Sequence, residues 1–550
     1  MNHWIIAPII LPAMIAPIVA YVMRYDMVLS RTFSLATTVL LAAISFALVL
    51  QAADGTVHVY RLGDWPAPYG IVLVLDRLSA MMLLVTSVLG LLVQTHAIAS
   101  GWDARGRHFH ALFQFQLMGI NGAFLTGDAF NLFVFFEVLL IASYGMMIHS
   151  GGKRRLQAGL QYVVMNLVGS TLFLFALGTL YAVTGTLNIA DLAVKVQEIP
   201  PEDAGLIRVA AMLLMIVFAI KAALFPVQFW LPGAYSNAPA PVAALFAIMT
   251  KVGAYAIIRI HTVVFGPQTP ALDGLPGDWL FPAAVITTFI GAFGVLGAKR
   301  LMQLISFSVL GSMGTLMLAI AAFTPEAGLA ALYYLLHSTF AAAALFLLAD
   351  LVVTHRNSGD LLKAAPPTVQ NGLFAALFFG AAIGMAGMPP LSGFLGKLLI
   401  LDALADHPQM AWAWVAVLGG SLITIVGFAR AGSLLFWKST ATDVKPAEAH
   451  DALPADITPS GPAVLFPTFA ALGVLAALTI LAGPVSRYLQ ATADELHDPA
   501  AYIEQVLINQ GETKDLSDHG DADYGDGEGY GDGDHAEDDH GDAATEGGTD

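Results

Sequence analysis

One glutamate and three lysines sit where ionisable side chains are costly. Glu137 lies in FNLFVFFEVLLIASYGMM, Lys221 in AAMLLMIVFAIKAALFPVQFWL, Lys251 in APVAALFAIMTKVGAYAIIR and Lys397 in GMPPLSGFLGKLLI. Each is far from the ends of a stretch apolar enough to cross a bilayer. A charge at the bilayer centre costs at least ~2.5–3.5 kcal/mol on insertion scales, so such residues mark ion or proton pathways by default. An amine beside a carboxylate holds its proton, and releases it when the carboxylate moves away. Glu137 and Lys221 are candidates for such a pair. His337, within LAALYYLLHSTFAAAALFLL, adds an imidazole whose ordinary pKa near ~6.5 suits proton exchange. A buried, hydrogen-bonded core histidine is the bland alternative. These five residues point to charge movement, read here as proton handling.

The elements that hold them are transmembrane helices. The chain has 550 residues, 57% hydrophobic and 12% charged, with a mean hydropathy of +0.71. An ordinary soluble domain carries about 25% charge. At ~20 apolar residues per crossing, fourteen spans are expected, centred near residues 13, 41, 84, 117, 138, 172, 217, 252, 289, 312, 340, 386, 422 and 473. The first apolar segment lacks a basic leader and a small-residue cleavage site before Arg24, and reads as an uncleaved span.

Prolines interrupt spans 7 and 12, at Pro226 and at Pro389-Pro390. Two broken helices at matching places in two halves are the sign of an inverted-repeat transporter. The expected organisation is helices 1–3 with an outer loop over residues 1–100, one five-helix repeat over 101–265 and an inverted second over 279–437. Residues 460–510 supply helix 14 and an amphipathic end, and 511–550 a disordered acidic tail. That tail holds fifteen Asp and Glu against one Lys. The outer loop, TVHVYRLGDWPAPYGIVLVL, alternates around a Gly-Asp-Trp-Pro turn and predicts a small β-hairpin.

Loops after odd-numbered spans carry thirteen Lys and Arg, those after even-numbered spans with the tail only five. The positive-inside rule then places both termini outside a bacterial cytoplasmic membrane. His108 and His110 open span 4 and read as interfacial. Asp350, near the cytoplasmic end of span 11, could simply meet solvent. Asp76 and Arg77 open span 3 as a local cap with an ion pair. The absence of cysteine excludes disulfides and thiolate-held clusters. With no phosphate-binding loop, dinucleotide fingerprint or metal cluster, neither cofactor, metal nor nucleic acid is expected. Energy must come from an ion gradient, the membrane potential or a partner.

The runs FNLFVFFEVLLIASY, IKAALFPVQFWLPGAYSNAPAPVAALFAIMTKVGAYAIIR, GMPPLSGFLGK and GDWPAPYGIVLVLDRLSAMMLL resemble the antiporter-like membrane subunits over approximately residues 1–490. That superfamily contains the pumping subunits of respiratory complex I and the large subunits of Mrp-type (Mnh, Pha) cation/proton antiporters; the D-type subunits of the latter are most similar. The resemblance implies fourteen helices with broken helices 7 and 12. It also implies a lateral midplane relay of Glu137, Lys221, Lys251, His337 and Lys397. A secondary transporter rather than an enzyme is implied, exchanging protons for Na⁺ or K⁺ in a hetero-oligomer with other Mrp-type subunits. A pump subunit of a complex I or hydrogenase-type assembly is the alternative. The acidic tail lies outside the family pattern.

Overall fold

The computed structural model describes residues 3–267, 269–272, 274–356, 358–438 and 458–508. The acidic tail and Lys445 lie outside the described residues. The architecture is almost entirely helical, with one two-stranded sheet among the described residues. In that sheet His58–Arg61 pairs antiparallel with Val72–Leu75, in the register His58 to Leu75.

Every expected span centre falls within a helix, and among the described residues eleven helices are long and apolar enough to cross a membrane. The other three centres fall in shorter helices, for three physical reasons. Ala7–Tyr21 carries two internal prolines. Phe109–Leu125 has 17 residues and buries the polar Gln114, Gln116 and Asn121. Asn371–Ala386 stops at a break.

Two breaks interrupt the bundle. Gly205–Ala222 ends with Ala223 in the left-handed region (φ 58°), and Trp230–Asn237 resumes beyond Pro226. Freed backbone groups at membrane depth must find partners within the protein. The Ile220 carbonyl accepts from Trp230 Nε1 at 2.9 Å, and the Phe225 amide donates to Thr287 Oγ1 at 2.9 Å. The second break follows Asn371–Ala386. Gly387 (φ 79°) turns the chain across Pro389-Pro390 into Ser392–Ala403.

A third interruption has no proline signal. Ala240–Leu245 and Met249–Val263 are separated by a tighter turn at Phe246–Ile248, with the amides of Ala247, Ile248 and Met249 bonding three residues back. The segment from Met410 to Trp437 contains two wide, π-type turns, at Val415–Gly419 and Ser433–Trp437. The long helix Pro325–Thr354 is buried over almost its whole length and forms the centre of the packing.

Candidate functional site

Glu137 projects from Ala129–Met147 and accepts a hydrogen bond from Ser170 Oγ of Lys153–Thr184. Lys221 occupies the last turn of its broken helix and donates to Asn166 Oδ1 at 3.0 Å. Asn166 and Ser170 are one helical turn apart, and Ser170 Oγ also reaches the Asn166 carbonyl at 3.0 Å. Glu137 and Lys221 form no direct ion pair; the Asn166–Ser170 face lies between carboxylate and ammonium. The Phe136 ring stands 5.9 Å from the Lys221 ammonium. A cation at a helix C-terminus is favoured by the macrodipole, so the break itself helps hold this charge.

Glu137 is only partly buried. Phe130, Val134 and Ile141 on the same helix, with Ile148 just past its end, are exposed at spacings that place Glu137 at the middle of their stripe. The carboxylate is therefore on an outer wall of the chain as well as beside Ser170.

Lys251 is fully buried, in the first turn after the Phe246–Ile248 interruption, and its Nζ has no hydrogen-bond partner. Two residues on, Gly253 lets this helix touch the Lys221 helix. A Cβ there would stand 2.7 Å from Ala222 N and 2.9 Å from the Phe218 carbonyl oxygen. His337, also fully buried, sits with Nδ1 2.9 Å from Ser392 Oγ, just past the second break. Its ring lies against Gly393, where a Cβ would come within 2.7 Å of Nε2.

Lys397 also sits at a break, but on the half-helix that follows it, Ser392–Ala403. Its ammonium donates to the Ala386 carbonyl, freed by the second break, at 2.8 Å, and to Ser421 Oγ at 2.7 Å. Ser421 lies two residues past the end of the first π-type turn. Beside them is a cavity of about 20 Å³ lined by Ser308, Ser312, Thr315, Tyr334 and Thr424, large enough for about one water.

The structure relocates several other groups. His110, at the start of its helix, is buried within the protein, with Nε2 3.1 Å from Asp103 Oδ2. Asp103 also takes a bidentate contact from Arg31, at 2.6 and 2.8 Å. Burial pushes the Asp103 carboxyl up, and the bonds from His110 and Arg31 outweigh it and hold the carboxyl below the usual range. Asp76 does cap its helix, through the Ser79 amide, but its ion partner is Arg259 at 2.6 Å. Arg77 pairs instead with Glu495 of the amphipathic helix Ala482–His497. Asp350 is buried and bonded to His96 and Trp102.

Asn166, Ser170, Ser392 and Ser421 are site residues that reading for charge passes over. Their signal is faint but present: an Asn and a Ser one turn apart in an apolar helix, and a serine directly after a double proline and a leucine. No group of three or more metal-ligating side chains occurs among the described residues.

Ionisable side chains at helix breaks inside an apolar bundle define a polytopic membrane protein with charge-bearing groups in its interior. The family model for the transmembrane proteins of NADH:quinone oxidoreductase and Mrp antiporters matches residues 126–424. The D subunit of a probable K⁺/H⁺ antiporter of Rhizobium meliloti is 39% identical, over 92% of this chain and 98% of that protein. The D subunit of a Na⁺/H⁺ antiporter of Bacillus subtilis is 37% identical, over 92% of this chain and 100% of that one. A chain of the Mrp complex from Dietzia superposes with a TM-score of 0.82 at 31% identity, covering 92% of this chain and 100% of that chain. This chain belongs to the NADH:quinone oxidoreductase/Mrp antiporter family.

Proposed function

We propose that this chain is the proton-translocating subunit of a multisubunit Na⁺(K⁺)/H⁺ antiporter, acting as a secondary transporter. Protons pass along Glu137, Lys221, Lys251, His337 and Lys397, with hydroxyl and amide groups and intervening water completing the path. The observation that carries the reading is the repeated pairing of a lysine with a helix break. Lys221 ends one half-helix, and Lys397 binds the carbonyl that ends another. Lys251 and His337 lie between, the first against the Lys221 helix and the second beside Ser392.

Such an arrangement stores positive charge where helix dipoles favour it. A proton arriving at one member repels its neighbours, so occupancy can pass along the row. We assign fourteen crossings, with inverted repeats over 101–265 and 279–437, Pro226 and Pro389-Pro390 at the breaks, helices 1–3 over 1–100 and a terminal segment over 460–510. Both termini lie on the outer side and the basic loops on the inner side. The other Mrp-type subunits are the partners.

The test is proton flux in everted vesicles holding the assembled complex. Added Na⁺ or K⁺ collapses a respiration-driven pH gradient in the wild type, and fails to do so in Glu137→Gln and Lys221→Ala at matched assembly. Normal exchange in both variants refutes the relay.

A further inference from the structure

We infer that Asp350 and His96 form the port through which the relay exchanges protons with the aqueous phase on the basic-loop side; the inference rests on the proton-relay reading above. The port lies at a cavity of about 510 Å³ lined by Trp102, Arg155, Asn237, Ala240, Arg300 and Asp350, among others. Asp350 is 5% exposed, so its carboxylate meets this cavity from within the protein. Trp102 Nε1 donates to Oδ1 at 2.7 Å, and His96 Nε2 stands 2.9 Å from Oδ2. His96 is fully buried, and its second ring nitrogen, Nδ1, has no hydrogen-bond partner.

A carboxylate facing a cavity, backed by an imidazole whose second nitrogen has no partner, is the geometry of a proton shuttle. Imidazole can take a proton on one nitrogen and give it up from the other. Nothing is consumed: a proton joins the pair on one side and a proton leaves it on the other. Ion pairing alone accounts poorly for the cluster, because a buried pair is weak evidence for stability and Nδ1 would remain idle.

The geometry also supplies a direction. Ala240–Leu245 packs against both the His96 helix (Arg77–Ala99) and the Asp350 helix (Pro325–Thr354). It begins at the cavity wall and ends at the Phe246–Ile248 turn just before Lys251. From Ala240 to Lys251 the rise is about 16 Å at ~1.5 Å per residue. The helices along this seam carry Ala243, Ala244 and Ala341 to Ala344, all buried, side chains small enough to yield to a transient file of water. The charged groups around the port are Arg155, Arg300, Asp360, Lys153 and Arg154 of the same cavity; Trp102 and His96 face the carboxylate itself.

The experiment uses the assembled complex in everted vesicles, whose outer face is then the basic-loop side, with exchange measured across medium pH. Asp350→Asn and His96→Ala are expected to lower cation-driven proton flux at least about tenfold, in line with loss of a positioned proton donor, and to shift the pH of half-maximal activity. Asp350→Glu should restore most of the flux. If Asp350→Asn does not assemble, Trp102→Phe carries the test: it removes one hydrogen bond and should shift the profile the same way. Wild-type rate and profile in the assembled port variants, with Glu137→Gln and Lys251→Ala inactive, overturn the port alone. Normal flux in Glu137→Gln and Lys251→Ala overturns the relay and the port with it.

Discussion

The Asp76–Arg259 pair offers the sharpest energetic test of this architecture. Both residues are buried, at 8% and 3% exposure, and they meet through two contacts of 2.6 and 2.9 Å. Arg259 adds Nε to Tyr255 Oη at 3.3 Å and stands 5.3 Å from the Tyr502 ring centroid. Replacing Arg259 by Met would leave the Asp76 carboxylate buried, with the Ser79 amide at 2.8 Å as its remaining donor. Breaking a buried pair from one side costs about 3–5 kcal/mol. Asp76→Asn keeps an oxygen for the cap but strands the guanidinium, with a cost in the same range. Removing both partners leaves no orphaned charge, so the double variant should cost at least ~2 kcal/mol less than the sum of the two singles. The assay is unfolding of the purified assembly by titrated SDS, followed by tryptophan fluorescence. Single-variant losses below about 1 kcal/mol, or strict additivity, would refute the assignment of this pair as a buried, mutually dependent unit.

Ser170→Ala should lower cation-driven proton exchange while leaving assembly intact, because it removes the donor to Glu137; unchanged exchange in everted vesicles would separate Ser170 from the relay. Gly393→Ala should disturb His337, since the new methyl would also come 2.1 Å from the Gly384 carbonyl oxygen; the check is exchange activity against Gly461→Ala, where nothing lies within 4 Å. Glu495 supplies a pH test. Burial raises its carboxyl from 4.5 to about 7, against the opposing pull of Arg77. A pKa raised in the folded state gives stability that is complete below the unfolded value and lost as pH rises through the folded one. Hydrogen exchange over Ala482–His497 should therefore quicken between about pH 4.5 and 7, after correction for the intrinsic rate, and Glu495→Gln should flatten the trend.

Helix positions are legible in the sequence because apolar runs of bilayer length have few alternatives, and the charges within them stand out against that background. What stays hidden is pairing across the fold. Adjacency suggests Arg77 as the partner of Asp76, yet two side chains that start adjacent helical positions diverge, and each finds its partner more than 180 residues away, in Arg259 and Glu495. His110 and Asp350 look peripheral because distance from a span's end says nothing of what packs over it. The Phe246–Ile248 interruption leaves no mark because a change from four-residue to three-residue hydrogen bonding needs no proline or glycine. Asn166 and Ser421 escape for a further reason: neutral polar residues cost little in an apolar helix and so attract no attention, although they receive the ammonium protons.

Glu137, set on the outer wall among Phe130, Val134 and Ile141, makes the solitary chain an unfinished membrane solute. Left facing lipid, its carboxylate carries the ~2.5–3.5 kcal/mol burden of an intramembrane charge. A neighbour that covers the stripe relieves that burden by closing the carboxylate off from lipid. Membrane stability and subunit assembly would then be coupled through one exposed stripe. A copy made in excess of its companions would remain the costlier membrane solute, and that difference would favour its assembly.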